Sequence, residues 1–130
     1  MIADGKLINP EVRIEVTNLC NARCVICPRE KMTRPLRTMR NDTFFDLVMQ
    51  SFKLGAKMIS PFGYGEPLLD PGLCEKISYC TSLGLKTFIT TNASLLDCDK
   101  AFDLLNSGLS NIRFSFHGVT PDKYEKKTLC

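Results

Sequence analysis

The sequence predicts an α/β fold built on a parallel sheet, and three observations predict it. Short apolar runs alternate with amphipathic stretches of helical period, a glycine closes each helical stretch, and polar loops follow each apolar run. Strands alternating with helices of this length need crossover connections, so the strands run parallel and the helices cover the sheet. With 130 residues at 44% hydrophobic content, the chain can bury roughly two-thirds of its unfolded surface, which is enough for one domain over residues 1–130 and not for two.

Val12-Arg13-Ile14-Glu15-Val16 reads as the first strand. Asn41 or Asp42 then caps a helix through about Leu54, in which Phe45, Val48, Met49 and Phe52 recur at helical spacing and Gly55 ends it. A second strand is expected from about Lys57 to Phe62. Asp70 precedes Pro71 at a first helical position, Leu73, Ile77 and Cys80 to Leu83 mark the buried side, and Gly84 stops that helix before a third strand at Leu85 to Thr90. The third helix runs from about Asp97 to Ser107, with Ala101, Phe102, Leu104 and Leu105 apolar and Gly108 after it. Asn111 to Ser115 makes strand four, and Thr120-Pro121-Asp122 begins a fourth helix.

The net charge of +3 is too mild to argue for nucleic acid. Arg29, Lys31, Arg34, Arg37 and Arg40 read as a solvated connecting segment, since Pro35 and the missing apolar face oppose an ordered basic helix. No apolar run is long enough for a membrane span, and Met1 to Lys6 does not read as a secretory signal. With seven cysteines, an odd number, the expected compartment is the reducing cytoplasm. Cys74, Cys80 and Cys98 are expected to be structural, because free cysteine is readily buried.

The sharpest signal is Cys20-x3-Cys24-x2-Cys27, directly after the first strand. Three such thiolates can hold three corners of an iron–sulfur cluster and leave one iron open, whereas clusters that only carry electrons normally take a protein ligand at every corner. Two other readings compete. A structural zinc site wants four ligands, and the only histidine, His117, is far along the sequence. Packing as small hydrophobes is a poor use of three cysteines in a polar loop that ends in a proline.

Thr17-Asn18-Leu19-Cys20-Asn21-Ala22-Arg23-Cys24-Val25-Ile26-Cys27-Pro28 resembles the cluster loop of the radical S-adenosylmethionine enzymes. The resemblance implies a [4Fe-4S] cluster on Cys20, Cys24 and Cys27. It also implies S-adenosylmethionine chelated to the open iron and cleaved reductively to a 5′-deoxyadenosyl radical that abstracts hydrogen from substrate. Gly63-Tyr64-Gly65-Glu66-Pro67 resembles the family's Gly-Gly-Glu-Pro segment, with Tyr64 in place of a glycine. That places Gly65, Glu66 and Pro67 beside the ammonium of S-adenosylmethionine. Thr90-Thr91-Asn92 and Ser115 stand where the family contacts the methionine carboxylate and the ribose, with Ala93 and His117 in place of a glycine and an aspartate. As plain chemistry, Asn92 equally suits a turn, and His117 an exposed loop.

The implied fold is a partial (β/α) barrel. The family barrel usually has six β/α units and this sequence supplies about four, as the N-terminal portion of a longer protein would. The wording around Glu66 and Ser115 is most similar to the branch that includes SPASM-containing and molybdenum-cofactor-synthesis enzymes. An electron donor of flavodoxin or ferredoxin type and an unknown substrate, with peptides among the candidates, come with the resemblance. The competing class is a non-catalytic zinc or iron–sulfur module, or an inactive truncated product.

Overall fold

A computed structural model of the chain describes residues 2, 3, 5–7, 10–120 and 122. Its centre is a four-stranded parallel sheet of β1 (Glu11–Arg13), β2 (Met58–Ser60), β3 (Lys86–Thr91) and β4 (Asn111–Phe114), in that spatial order. Helices α1 (Asn41–Lys53), α2 (Leu73–Ser82) and α3 (Cys98–Asn106) supply the crossovers. Strand neighbours in sequence are neighbours in space, and each pair is parallel, as the β/α rhythm predicts. A two-residue antiparallel pair, Ile2–Ala3 with Lys6–Leu7, precedes the sheet. The fourth helix expected from Thr120 lies outside the described residues, apart from Asp122.

One face of the sheet carries the core. Ile14, Val16, Ile59 and Ile89 pack against Phe44 and Val48 of α1 and Leu73, Ile77 and Cys80 of α2, all buried. Leu104 is the buried residue of α3. The helix stops fall where the glycines predict them, with φ of +91° at Gly55, +72° at Gly84 and +82° at Gly108, backbone that only glycine adopts without strain.

Several boundaries differ from expectation for local reasons. β1 ends at Arg13 because residues 16–18 turn away to bond the loop before α1: Met39 N donates to Val16 O at 2.7 Å and Asn18 N to Arg37 O at 3.2 Å. The N-cap of α1 is Arg40, not Asn41 or Asp42, since Asp42 is engaged with the Arg40 guanidinium and Asn41 donates to Glu75. The buried stripe of α1 is Phe44, Val48 and Ser51, one residue off the expected one. Phe45 is half-buried against Tyr79 at a ring separation of 4.4 Å, and Phe52 is exposed. Pro71 is not a first helical residue. Pro67–Leu69 forms a single 3₁₀ turn capped by the Glu66 side chain, and α2 starts two residues after Pro71. Phe102 and Leu105 of α3 are exposed, and so is Cys98, which is therefore not a core cysteine.

The basic segment is more ordered than a solvated connector. Arg34 pairs with Glu15 at 2.5 Å, Asn18 bonds Pro35 O and Arg37 N, and Thr17 and Thr38 form an antiparallel bridge. Among the described residues no helix is long and apolar enough to cross a membrane.

Candidate functional site

The loops after β1, β2, β3 and β4 converge at the C-terminal edge of the sheet, where parallel α/β folds place their ligands. They enclose a cavity of about 340 Å³ lined by Cys20, Cys24, Cys27, Gly65, Glu66, Asn92 and Ser115 among others. Seven of the eight residues expected at a site thus meet in one place. The eighth, Pro67, is fully buried at the start of the 3₁₀ turn and stands behind the cavity wall. A larger groove of about 490 Å³ lies by the basic segment and contains none of the cysteines.

The three cysteines are half-buried. Cys27 N donates to Cys24 O at 2.9 Å, which closes a tight turn, and Ala22 N donates to Cys20 Sγ at 3.4 Å. Burial pushes the Cys20 thiol above its usual range, and the bond from Ala22 partly offsets this. Among the described residues no three His, Cys, Asp or Glu side chains are gathered tightly enough to share one metal ion. Three half-buried thiols lining one cavity are a donor set that fits an iron–sulfur cluster, whose thiolates bind separate irons.

Glu66 is the brace of the site. Its carboxylate is buried and accepts from Thr91 Oγ1 at 2.6 Å, Asn92 N at 2.8 Å and Leu68 N at 3.1 Å. Its backbone N–H donates to Leu19 O at 2.7 Å. One residue therefore ties the β2 loop to the β3 loop and to the cysteine loop, which suits a carboxylate able to accept several bonds. Gly65 is glycine because a Cβ there would stand 2.1 Å from Thr17 O and 2.7 Å from Leu19 O. Tyr64 N donates to Glu15 Oε1 at 2.7 Å, so Glu15 anchors the other end of the same loop.

Asn92 does the turn work that plain chemistry allows it, and more. Its Oδ1 accepts from Ser94 N and Oγ, and its Nδ2 donates to Asn21 Oδ1 at 3.0 Å. Asn21 in turn donates to Ser94 at 2.7 Å, closing a ring between the cysteine loop and the β3 loop. Ser115 is held by its N–H on Thr91 O at 2.8 Å. His117 is half-buried in the cavity wall and not the exposed loop residue expected.

Nothing in the sequence announced the bracing contacts of Glu15, Thr17, Asn18, Asp70 and Lys76, although Thr17 and Asn18 stand in the cysteine-loop motif and Asp70 ahead of the second helix. Thr17 and Asn18 could have been found as a buried-loop signature, since two polar residues before a cysteine trio must satisfy backbone that no strand pairs. The buried Lys76–Asp70 pair, at 2.7 Å, carries no sequence signal of its own.

The family model described as the Radical SAM superfamily matches residues 14–128. A probable GTP 3',8-cyclase of Methanothermobacter marburgensis is 32% identical over 114 residues, covering 87% of this chain and 37% of the relative. A GTP 3',8-cyclase of Alkaliphilus oremlandii is 36% identical over 124 residues, 90% of this chain and 38% of the relative. The PqqA peptide cyclase of Bradyrhizobium diazoefficiens is 27% identical, over 83% of this chain and 28% of the relative. The chain thus spans less than two-fifths of the length of these relatives. Among solved structures, BtrN in complex with AdoMet and 2-DOIA superposes with a TM-score of 0.74 at 24% identity, over 93% of this chain and 56% of BtrN. SuiB of Streptococcus suis bound to S-adenosylmethionine gives 0.78 at 22%, over 92% of this chain and 28% of SuiB. The fold they share with this chain is the α/β sheet described above, a partial barrel.

Proposed function

The chain belongs to the radical SAM superfamily, and from that premise we propose that residues 1–130 are the cluster-binding and S-adenosylmethionine-binding part of a radical enzyme's barrel. Cys20, Cys24 and Cys27 are the residues that would hold a [4Fe-4S] cluster, with S-adenosylmethionine completing the open iron. When bound, the cluster supplies the electron that splits the sulfonium reductively, and a flavodoxin or ferredoxin-type donor replenishes it. The cytoplasm is the compartment that keeps such thiols available.

The chain's own residues bind, orient and exclude. Because the Glu66 carboxylate is occupied by Thr91, Asn92 and Leu68, its role is to fix the loop, and the backbone carbonyls of residues 63–65 are left to accept from the ligand's ammonium. Gly65 permits that backbone to lie close to the cysteine loop. Ser115 offers a hydroxyl for the ribose. Phe62 and Tyr64, both on the cavity wall, shield the reacting centre from water, which a primary radical requires. The names of the relatives span a nucleotide and a peptide as substrates, and a small molecule or a peptide bound over the sheet is the hydrogen donor in this reading.

The observation that carries the reading is the convergence of three cysteines, Gly65, Glu66, Asn92 and Ser115 on one cavity. Equilibrium dialysis of S-adenosylmethionine against the anaerobically reconstituted chain tests it. Binding that needs the reconstituted metal site and vanishes in Cys24→Ser is expected. Equal binding to metal-free protein, or none to either, would overturn it.

A further inference from the structure

Three side chains beside the cavity close a directional ring of hydrogen bonds. Asn21 Nδ2 donates to Ser94 Oγ at 2.7 Å, Ser94 Oγ donates to Asn92 Oδ1 at 2.8 Å, and Asn92 Nδ2 donates to Asn21 Oδ1 at 3.0 Å. Each member gives one of these bonds and takes one, so the three polarise one another, and loss of any member opens the ring. The ring joins loops far apart in sequence, with Asn92 and Ser94 standing 71 and 73 residues after Asn21. Of the three, Asn92 lines the cavity, while Asn21 and Ser94 are exposed. Exposed side chains exchange such bonds with water at little net gain in stability, so the consequence of the ring is geometric.

Ala93 adds an independent sign. It sits between two members of the ring with a φ of +63°, and among the described residues no other non-glycine has a positive φ. Backbone of this kind persists only where its surroundings over-determine it, and such strain gathers where geometry serves function. Here Ser94 N also donates to Asn92 Oδ1 at 3.0 Å and Ala93 N to Thr91 Oγ1 at 3.0 Å. The strained turn thereby presents the Asn92 amide and the Ser94 hydroxyl together to Asn21.

Asn92 reaches the cysteine loop on both sides of Cys20. Its backbone N–H donates to Glu66 Oε2 at 2.8 Å, and Glu66 N donates to Leu19 O at 2.7 Å, which holds the residue before Cys20. Its side chain holds Asn21, the residue after Cys20, and the next residue, Ala22, donates its N–H to Cys20 Sγ at 3.4 Å. We propose that the ring of Asn21, Asn92 and Ser94 is a positioning device that sets the cysteine loop against the β3 loop. Asn21 and Ser94 are positioning residues, which act by fixing the groups that line the cavity. The proposal rests on the reading of the chain as the cluster-binding and S-adenosylmethionine-binding part of a radical enzyme, and deepens it. The ring keeps the thiols and the β3 loop at one spacing before a ligand arrives, which lowers the ordering cost of binding.

Two measurements test it. In NMR spectra of the isotope-labelled, metal-free chain, Ser94→Ala should shift the side-chain amide resonances of both Asn21 and Asn92. An Asn21 resonance that stays in place would overturn the ring itself. In the anaerobically reconstituted chain, equilibrium dialysis should show S-adenosylmethionine bound about threefold to tenfold more weakly by Ser94→Ala, at the iron content of the parent. Ser94→Thr, which keeps the hydroxyl, should bind as the parent does. Asn21→Ala combined with Ser94→Ala should lose no more than Asn21→Ala alone, because both changes open one ring. Undiminished affinity in Ser94→Ala, a loss that Ser94→Thr does not restore, or losses that multiply in the double variant would each overturn the positioning role. A parent chain that binds no S-adenosylmethionine would defeat the wider reading, and the NMR comparison would then decide the ring by itself.

Discussion

Ala93 holds a φ of +63°, the left-handed region in which a Cβ costs about 1–2 kcal/mol. Its N–H donates to Thr91 Oγ1 at 3.0 Å, and the Asn92 and Ser94 bonds on either side keep it there. The resemblance to the family's Thr-Asn-Gly segment implies glycine at this position, and the backbone supplies a physical reason for it. Ala93→Gly should therefore raise stability by about 1 kcal/mol, read as a higher urea midpoint with an unchanged slope. Cys80 makes a second statement at this scale. Burial pushes its thiol from the usual 9.0 to about 12, so the folded chain favours the neutral form. That contribution is intact below pH 9 and is lost as pH rises from 9 toward 12, where the unfolded thiol ionises and the folded one resists. Stability of the parent chain should fall over that window, and Cys80→Ala should show a shallower fall. An equal alkaline loss in both would contradict the assignment.

Among the elements, α2 depends on an ion pair that no periodicity announces. Lys76 and Asp70 are both fully buried, 2.7 Å apart, and Lys76 Nζ also donates to Met39 O at 3.0 Å. The pair ties the end of the Glu66 turn to the loop that bonds Val16, just ahead of the cysteines. Removing one partner strands a buried charge, so Lys76→Met should cost about 3–5 kcal/mol by urea unfolding. Pairing it with Asp70→Leu should recover most of the loss. Existence and order of the sheet strands and of α1, α2 and α3 were legible in the sequence because glycine stops and helical spacing are local signals. The burial face of α1 was not, since Phe44 and Phe45 are both apolar and only the sheet decides which of them points inward. That Cys20, Cys24 and Cys27 share one loop at the cavity was legible from their spacing. Glu66 was legible as a motif residue, but its role as a three-way brace depends on the β3 loop, 25 residues away, and was not. The burial of Lys76 was not legible because sequence does not reveal that Asp70 folds back onto it.

The whole molecule has two faces of unequal character. The helix side is closed by the core, while α3 and β4 present Phe102, Leu105, Ile112 and Phe114 to solvent, Phe102 and Leu105 at 65% and 72% exposure. Among the described residues β4 is an edge strand with one neighbour, β3, and an apolar edge invites association. Analytical ultracentrifugation of the chain should show concentration-dependent self-association, reduced when Phe102 and Leu105 are both replaced by Glu. A monomer at every concentration would contradict that. The other end of the sheet holds the central claim, that loops after four parallel strands bring three thiols to one cavity with an iron left open to a ligand. Electron paramagnetic resonance of the anaerobically reconstituted, reduced chain, with and without S-adenosylmethionine, tests it most directly. A cluster signal that shifts when S-adenosylmethionine is added and is absent in Cys24→Ser is expected. A signal indifferent to S-adenosylmethionine, or one that survives loss of Cys24 unchanged, would contradict it.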